Sequence, residues 1–75
     1  MKQLTQAVFK DAPDWVESAA VNADGSVYWY SCKASYMFTT NDVFDIAFSG
    51  VIMGFVGSDY DTTDWQNSAI DREVK

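Results

Sequence analysis

Between Asp59 and Asp64 the chain places oxygen-bearing side chains at alternate positions, Asp59-x-Asp61-x-Thr63, followed at once by Asp64. A calcium loop begins this way, because a hard cation is held by several oxygens spaced along a tight turn. The pattern then stops. Asp64 stands where such loops need glycine, and Ile70 stands where a bidentate glutamate would close the site. No metal is expected. The aspartates read instead as turn residues whose carboxylates accept backbone amides.

Catalysis is poorly provided for. The sequence has no histidine, so the commonest general base and metal ligand is missing. Cys32 is the only cysteine, and its sole neighbouring activator is Lys33. It forms no internal disulfide and reads as a small apolar strand residue. There is no Ser-His or Cys-His pair, no phosphate loop and no dinucleotide fingerprint. Paired aspartates suit glycoside hydrolysis, but 75 residues leave little room for a substrate cleft. We therefore expect a non-enzyme with no catalytic residues and no cofactor.

Binding is the better fit. From Ala34 to Asp71 the chain carries six carboxylates (Asp42, Asp45, Asp59, Asp61, Asp64 and Asp71) and no lysine or arginine. Phe44, Phe48, Phe55, Tyr60 and Trp65 lie among them. The net charge of -6 argues against a basic patch for DNA, RNA or anionic lipid. Such a surface attracts basic partners, and its carboxylates can stand in for the phosphates of a nucleic acid. The expected contacts are Asp42, Asp45, Asp59, Asp61 and Asp64, with Tyr60 as the exposed aromatic anchor. The expected partner is a basic, nucleic-acid-binding protein, with no direct contact to nucleic acid or membrane. Twelve aromatics overfill one small core, so some should lie at an interface with another protein or a second copy.

The elements that must position these residues fit one small domain over residues 1–75. Leu4 to Phe9 reads as a first strand, ended by the turn residues around Pro13. Trp15–Asn22 and Ser26–Cys32 form a hairpin about Asp24-Gly25. Its second arm points Val27, Trp29 and Ser31 to one face and Tyr28, Tyr30 and Cys32 to the other. Thr39 with Asp42 has capping-box spacing and favours a short helix over Val43–Phe48, with an alternating strand as the other reading. Val51 to Val56 reads as a buried strand in which Gly54 marks a bulge or a close approach. Thr63 with Gln66 starts a single turn that docks Trp65 and Ile70, and the tail from Asp71 is expected to fray. The expected fold is α+β: an antiparallel sheet of three to four strands with one or two short helices. The uncharged run Ile46–Ser58 is 13 residues long, too short to span a bilayer. It also divides the acids into two clusters, Asp42 with Asp45 and Asp59 with Asp61 and Asp64. The opening segment Met1–Gln6 lacks the apolar core of an export signal, which points to the cytoplasm.

Three stretches carry a family resemblance: Leu4–Phe9, Ala19–Gly25 and Tyr60–Glu73. Together they cover about a third of the chain. They resemble small accessory proteins encoded by tailed bacteriophages of enteric bacteria. The most specific part is the ending Trp65-Gln66-Asn67-Ser68 with Arg72-Glu73, read as a structural clasp. The resemblance implies a phage origin, a location in the host cytoplasm and no enzymatic activity. Many small acidic phage proteins block host defence or DNA-processing enzymes, and by analogy the expected function is inhibition of such a host protein. The alternative is a homo-oligomeric structural or assembly accessory, paired through the apolar strand Val51–Val56.

Overall fold

The structure is a computed structural model that describes residues 1–46 and 49–73. Among the described residues there are six strands: β1 Ser18–Val21, β2 Val27–Tyr30, β3 Met37–Thr40, β4 Val43–Ile46, β5 Met53–Gly57 and β6 Ile70–Asp71. They form a four-stranded antiparallel sheet in the order β5-β2-β1-β6 and a separate β3-β4 hairpin. Among the described residues the only helical turns are short 3-10 pieces at Gln6–Phe9, Ala34–Tyr36 and Trp65–Asn67. The α+β expectation is thus corrected to a small all-β fold.

The expected β1-β2 hairpin is present, with Ala19 opposite Trp29 and Ala20 opposite Tyr28. Small residues on β1 leave room for the aromatics of β2, so both faces of the sheet are covered. On one face Phe9, Val16, Ala19, Val21 and Val27 pack with Trp29 and Val8. On the other, Ala20, Tyr30, Cys32 and Phe44 pack with Tyr28 and Trp65. Gly54 marks a close approach: a Cβ there would lie 3.3 Å from the Trp15 ring, which crosses β5 at that point.

Two local expectations fail for physical reasons. Leu4–Phe9 is not a strand. Thr5 Oγ1 accepts the Ala7 amide at 3.3 Å and starts a 3-10 turn, whose Val8 carbonyl accepts the Trp29 indole N–H at 3.1 Å. Val43–Ile46 is a strand, not a helix. Asn41 adopts φ 49° and reverses the chain, so that Thr40 pairs with Val43 and Met37 with Ile46. Phe44 is buried while Val43 and Asp45 are exposed, which is the period of a strand. A two-turn helix would not have repaid its nucleation cost. The end of the former helix reading, Ala47 and Phe48, lies outside the described residues.

The third turn and the tail are better held than expected. Trp65–Asn67 makes one 3-10 turn whose Trp65 ring meets Phe44 edge-on at 5.9 Å. Its N-cap position is Asp64, not Thr63. Ser68 Oγ accepts the Val21 amide at 2.9 Å and donates to the Val21 carbonyl at 3.2 Å, so the Trp65–Ser68 stretch does clasp the sheet. Beyond it, Arg72 donates from its backbone to Glu17 at 2.7 Å and from its guanidinium to Pro13 and Val16 carbonyls at 2.8 and 3.2 Å. The chain is therefore fastened through Arg72 and does not fray at Asp71.

Candidate functional site: the acidic end of the sheet

Two acidic turns, one at Asp42 and one at Asp59–Asp61, meet at one place, the turn between β1 and β2. That turn is built by its own sequence. Gly25 takes φ 88°, and the Asp24 carboxylate accepts the Ser26 amide at 2.9 Å and the Ser26 hydroxyl at 2.6 Å. These bonds, the hydroxyl first, hold the Asp24 carboxyl below its ordinary range.

The β3-β4 turn docks on one flank. The Ala23 amide donates to the Asp42 carbonyl at 3.0 Å, and buried Asn22 accepts the Phe44 amide through Oδ1 at 3.0 Å. The Asp59–Asp61 turn docks on the other flank, where the Tyr60 amide donates to the Gly25 carbonyl at 3.1 Å. A side chain at Gly25 would crowd this contact, since a Cβ would stand 3.1 Å from the Tyr60 carbonyl oxygen. Asp24, which the two-cluster sequence reading omits, lies between the clusters and joins them.

The N-terminal segment borders this end. The Lys2 amide donates to Asp59 at 3.0 Å, the Asp61 amide donates to Lys2 at 2.7 Å, and the Lys2 ammonium lies 5.4 Å from the centre of the Tyr60 ring. Tyr60 is consequently half-buried under Lys2 and against the core, and it is not an open anchor. Among the described residues the exposed aromatics are Tyr36, Phe38 and Phe55. Asp61 accepts the Thr63 amide and the Gln3 side-chain amide, each at 2.9 Å. Those bonds, the Thr63 amide first, lower its carboxyl to about 2. Asp64 turns to the Asn67 amide at 2.8 Å. An open depression of about 210 Å³ lies between Gln3 and Leu4 on one side and Asp61, Asp64, Asn67 and Ser68 on the other.

The aspartates of the calcium-like spacing do not converge on a common point. Among the described residues no three His, Cys, Asp or Glu side chains stand close enough to share a metal ion. Asp45 is also set apart. It lies three residues along β4 from Asp42, roughly 10 Å at the rise of a strand, on the outer face opposite Phe38.

The acidic end thus holds Asp24, Asp42, Asp59, Asp61 and Asp64, with Lys2 and the Met1 ammonium beside them. At the far end of the sheet Lys33 reaches Glu17 at 3.8 Å, and Arg72 binds the Pro13–Val16 turn. No family model, curated protein or solved structure matches this chain. No helix among the described residues is long and apolar enough to cross a membrane.

Proposed function

We propose that this protein binds a basic partner through the acidic end of its sheet. The partner class is a host protein that binds nucleic acid, and the acidic end occupies the groove that would otherwise take phosphates. The observation that carries the reading is the docking of both acidic turns on the β1-β2 turn. It concentrates separate carboxylates into one field, as a strand of phosphates does. Asp42 and Asp59 are the free contacts, because neither carboxylate makes a hydrogen bond among the described residues. Asp24, Asp61 and Asp64 add charge from positions fixed by their turns. In this reading the protein acts by occupancy, without catalysis, in the cytoplasm of a phage-infected bacterium.

The test is capture from host lysate with wild type and with Asp42→Asn/Asp59→Asn. Asparagine keeps the size and tolerates the φ of 68° at position 59. A nucleic-acid-binding protein should be captured at low salt, released by added duplex DNA, and bound several-fold more weakly by the double variant. Failure to recover such a protein at low salt, or equal capture by the variant, would overturn the proposal.

A second reading, an assembly accessory that works as an oligomer, draws support from the exposed Ile52, Met53 and Phe55 at the edge of the same sheet.

A further inference from the structure

The fold places a cation of its own at the acidic end. The backbone of Lys2 bridges in parallel to Tyr60, through hydrogen bonds with Asp59 and Asp61 at 3.0 and 2.7 Å. The Gln3 side-chain amide ties the next residue to the Asp61 carboxylate at 2.9 Å. Residue 2 is thus fixed through its backbone, while its side chain stays exposed. Among the described residues the Lys2 ammonium pairs with no carboxylate. It lies over the Tyr60 ring instead, 5.4 Å from the centre, within the range of a cation–π contact. Gly57 is the floor of this niche: from a Cβ built there, the Tyr60 ring edge lies at 3.7 Å and the ammonium at 3.9 Å. At an exposed site such a contact is worth only about two- to fivefold in affinity, so another cation can displace it.

We propose that the face of Tyr60 is a seat for an arginine of the basic partner, and that Lys2 is its built-in competitor, displaced on binding. The inference rests on the acidic-end reading and names the side chain which that end selects. A guanidinium suits the seat better than an ammonium does. It is planar and weakly hydrated, and it stacks on an aromatic face while its N–H donors reach neighbouring carboxylates. Asp59 precedes Tyr60, and its carboxylate makes no hydrogen bond among the described residues. Asp61 follows Tyr60, with its carboxylate already oriented by the Thr63 and Gln3 amides. Lys2 covers the ring without the stack or the fork, so it holds the seat only loosely.

A seat behaves differently from the general field of the acidic end. The field follows net charge, whereas the seat follows which cation covers the ring. Lys2→Arg keeps the charge and installs a better resident, so it should weaken binding of an incoming arginine. Lys2→Gln vacates the ring and should strengthen that binding. Lys33→Gln removes the same charge at the far end of the sheet, where Lys33 reaches Glu17 at 3.8 Å, and should change it less.

Titration with hexa-arginine and with hexa-lysine peptides at low salt tests this, followed by calorimetry and by the NMR resonances of the Tyr60 ring. Wild type should bind hexa-arginine about two- to fivefold more tightly than hexa-lysine, with the Tyr60 ring resonances moving as it does so. Lys2→Gln should tighten hexa-arginine binding by about the same factor, and Lys2→Arg should weaken it. Tyr60→Leu, where it keeps the native circular dichroism, should bind the two peptides alike. Position 2 is exposed, so the Lys2 variants carry the test if Tyr60→Leu fails to fold. Equal affinities for the two peptides in wild type, Lys2→Arg binding as wild type does, or equal effects of Lys2→Gln and Lys33→Gln would overturn the proposal. So would Tyr60 ring resonances that stay still, or binding of neither peptide. If both peptides bind wild type equally and are both lost in Asp42→Asn/Asp59→Asn, the seat falls and the acidic end stands. The acidic-end reading itself is decided by capture from host lysate.

Discussion

Tyr30 is fully buried, yet its hydroxyl has no hydrogen-bond partner among the described residues. It lies among Ala20, Cys32 and Phe44, in the layer that joins the hairpin β3-β4 to the main sheet. An unpaired buried hydroxyl costs about 1–3 kcal/mol. Tyr30→Phe removes that cost and leaves a gap of one oxygen atom, whose lost contacts offset part of the gain. The expected net effect is a stabilisation of about 1 kcal/mol. For a domain of this size that raises Tm by about 4–8 °C.

A second signature separates this from ordinary repacking. Burial pushes the Tyr30 phenol up to about 12 from its usual 10. A raised folded value means that the contribution is fully present below pH 10 and is lost as pH rises through 12. Two pH units correspond to about 3 kcal/mol of alkaline destabilisation. The phenylalanine variant lacks that component, so its stability should fall less between pH 10 and 12. Urea unfolding followed by circular dichroism at pH 7, 10 and 12 measures both effects, with an unchanged m-value confirming a common unfolded state. A variant destabilised by about 1 kcal/mol at pH 7 would refute the reasoning, since it would show a hydroxyl that is bonded in solution.

Other expectations follow from the junction at the β1-β2 turn. Gly25→Ala should cost about 1–3 kcal/mol in urea unfolding, from its φ of 88° and the Tyr60 carbonyl 3.1 Å from the new Cβ. Asn22→Ala should cost about 1–3 kcal/mol by the same measurement, because it orphans the Phe44 amide. Phe44→Ala should cost about 3–5 kcal/mol and release the β3-β4 hairpin, seen as fast amide exchange at residues 37–46. At acid pH the sign is opposite to that of Tyr30. The Asp61 carboxyl is lowered from 3.8 to about 2, so its contribution is present above pH 4 and is lost as pH falls through 2. Asp61→Asn should therefore flatten the stability profile between pH 4 and 2 in acid titration.

The parts of the fold that were legible in sequence are those set by local chemistry. Asp24-Gly25 specified the hairpin because only a residue free to take positive φ fits there, and alternation along Val27–Tyr30 assigned the two faces. The parts that were not legible depend on contacts distant in sequence. Thr39 and Asp42 have the spacing of a helix cap, but the turn at Asn41 and the burial of Phe44 against Tyr30 outweigh that local preference. Leu4 and Val8 are four residues apart, a helical interval, and the Trp29 indole takes up the Val8 carbonyl. In the site, the aspartates were visible but Asn22 was not, because its role is to satisfy an amide 22 residues away. Asp24 was read for its turn alone, although that turn joins the two clusters.

The same hydrogen bonds explain why turn-building and charge display coincide at this end. A carboxylate that accepts an amide from its own turn stays ionised and stays at the surface, as Asp24 and Asp61 do. Their lowered carboxyl values favour the charged form that a basic partner would meet. Fixing them also removes side-chain freedom that binding would otherwise have to remove, so their charge is presented in advance. Asp42 and Asp59, whose carboxylates make no hydrogen bond among the described residues, are able to adjust to a guanidinium. Three fixed carboxylates, Asp24, Asp61 and Asp64, thus share one end of the sheet with two adjustable ones. Neutralising the adjustable pair should speed dissociation of the partner more than neutralising Asp45, which stands roughly 10 Å away on the outer strand face.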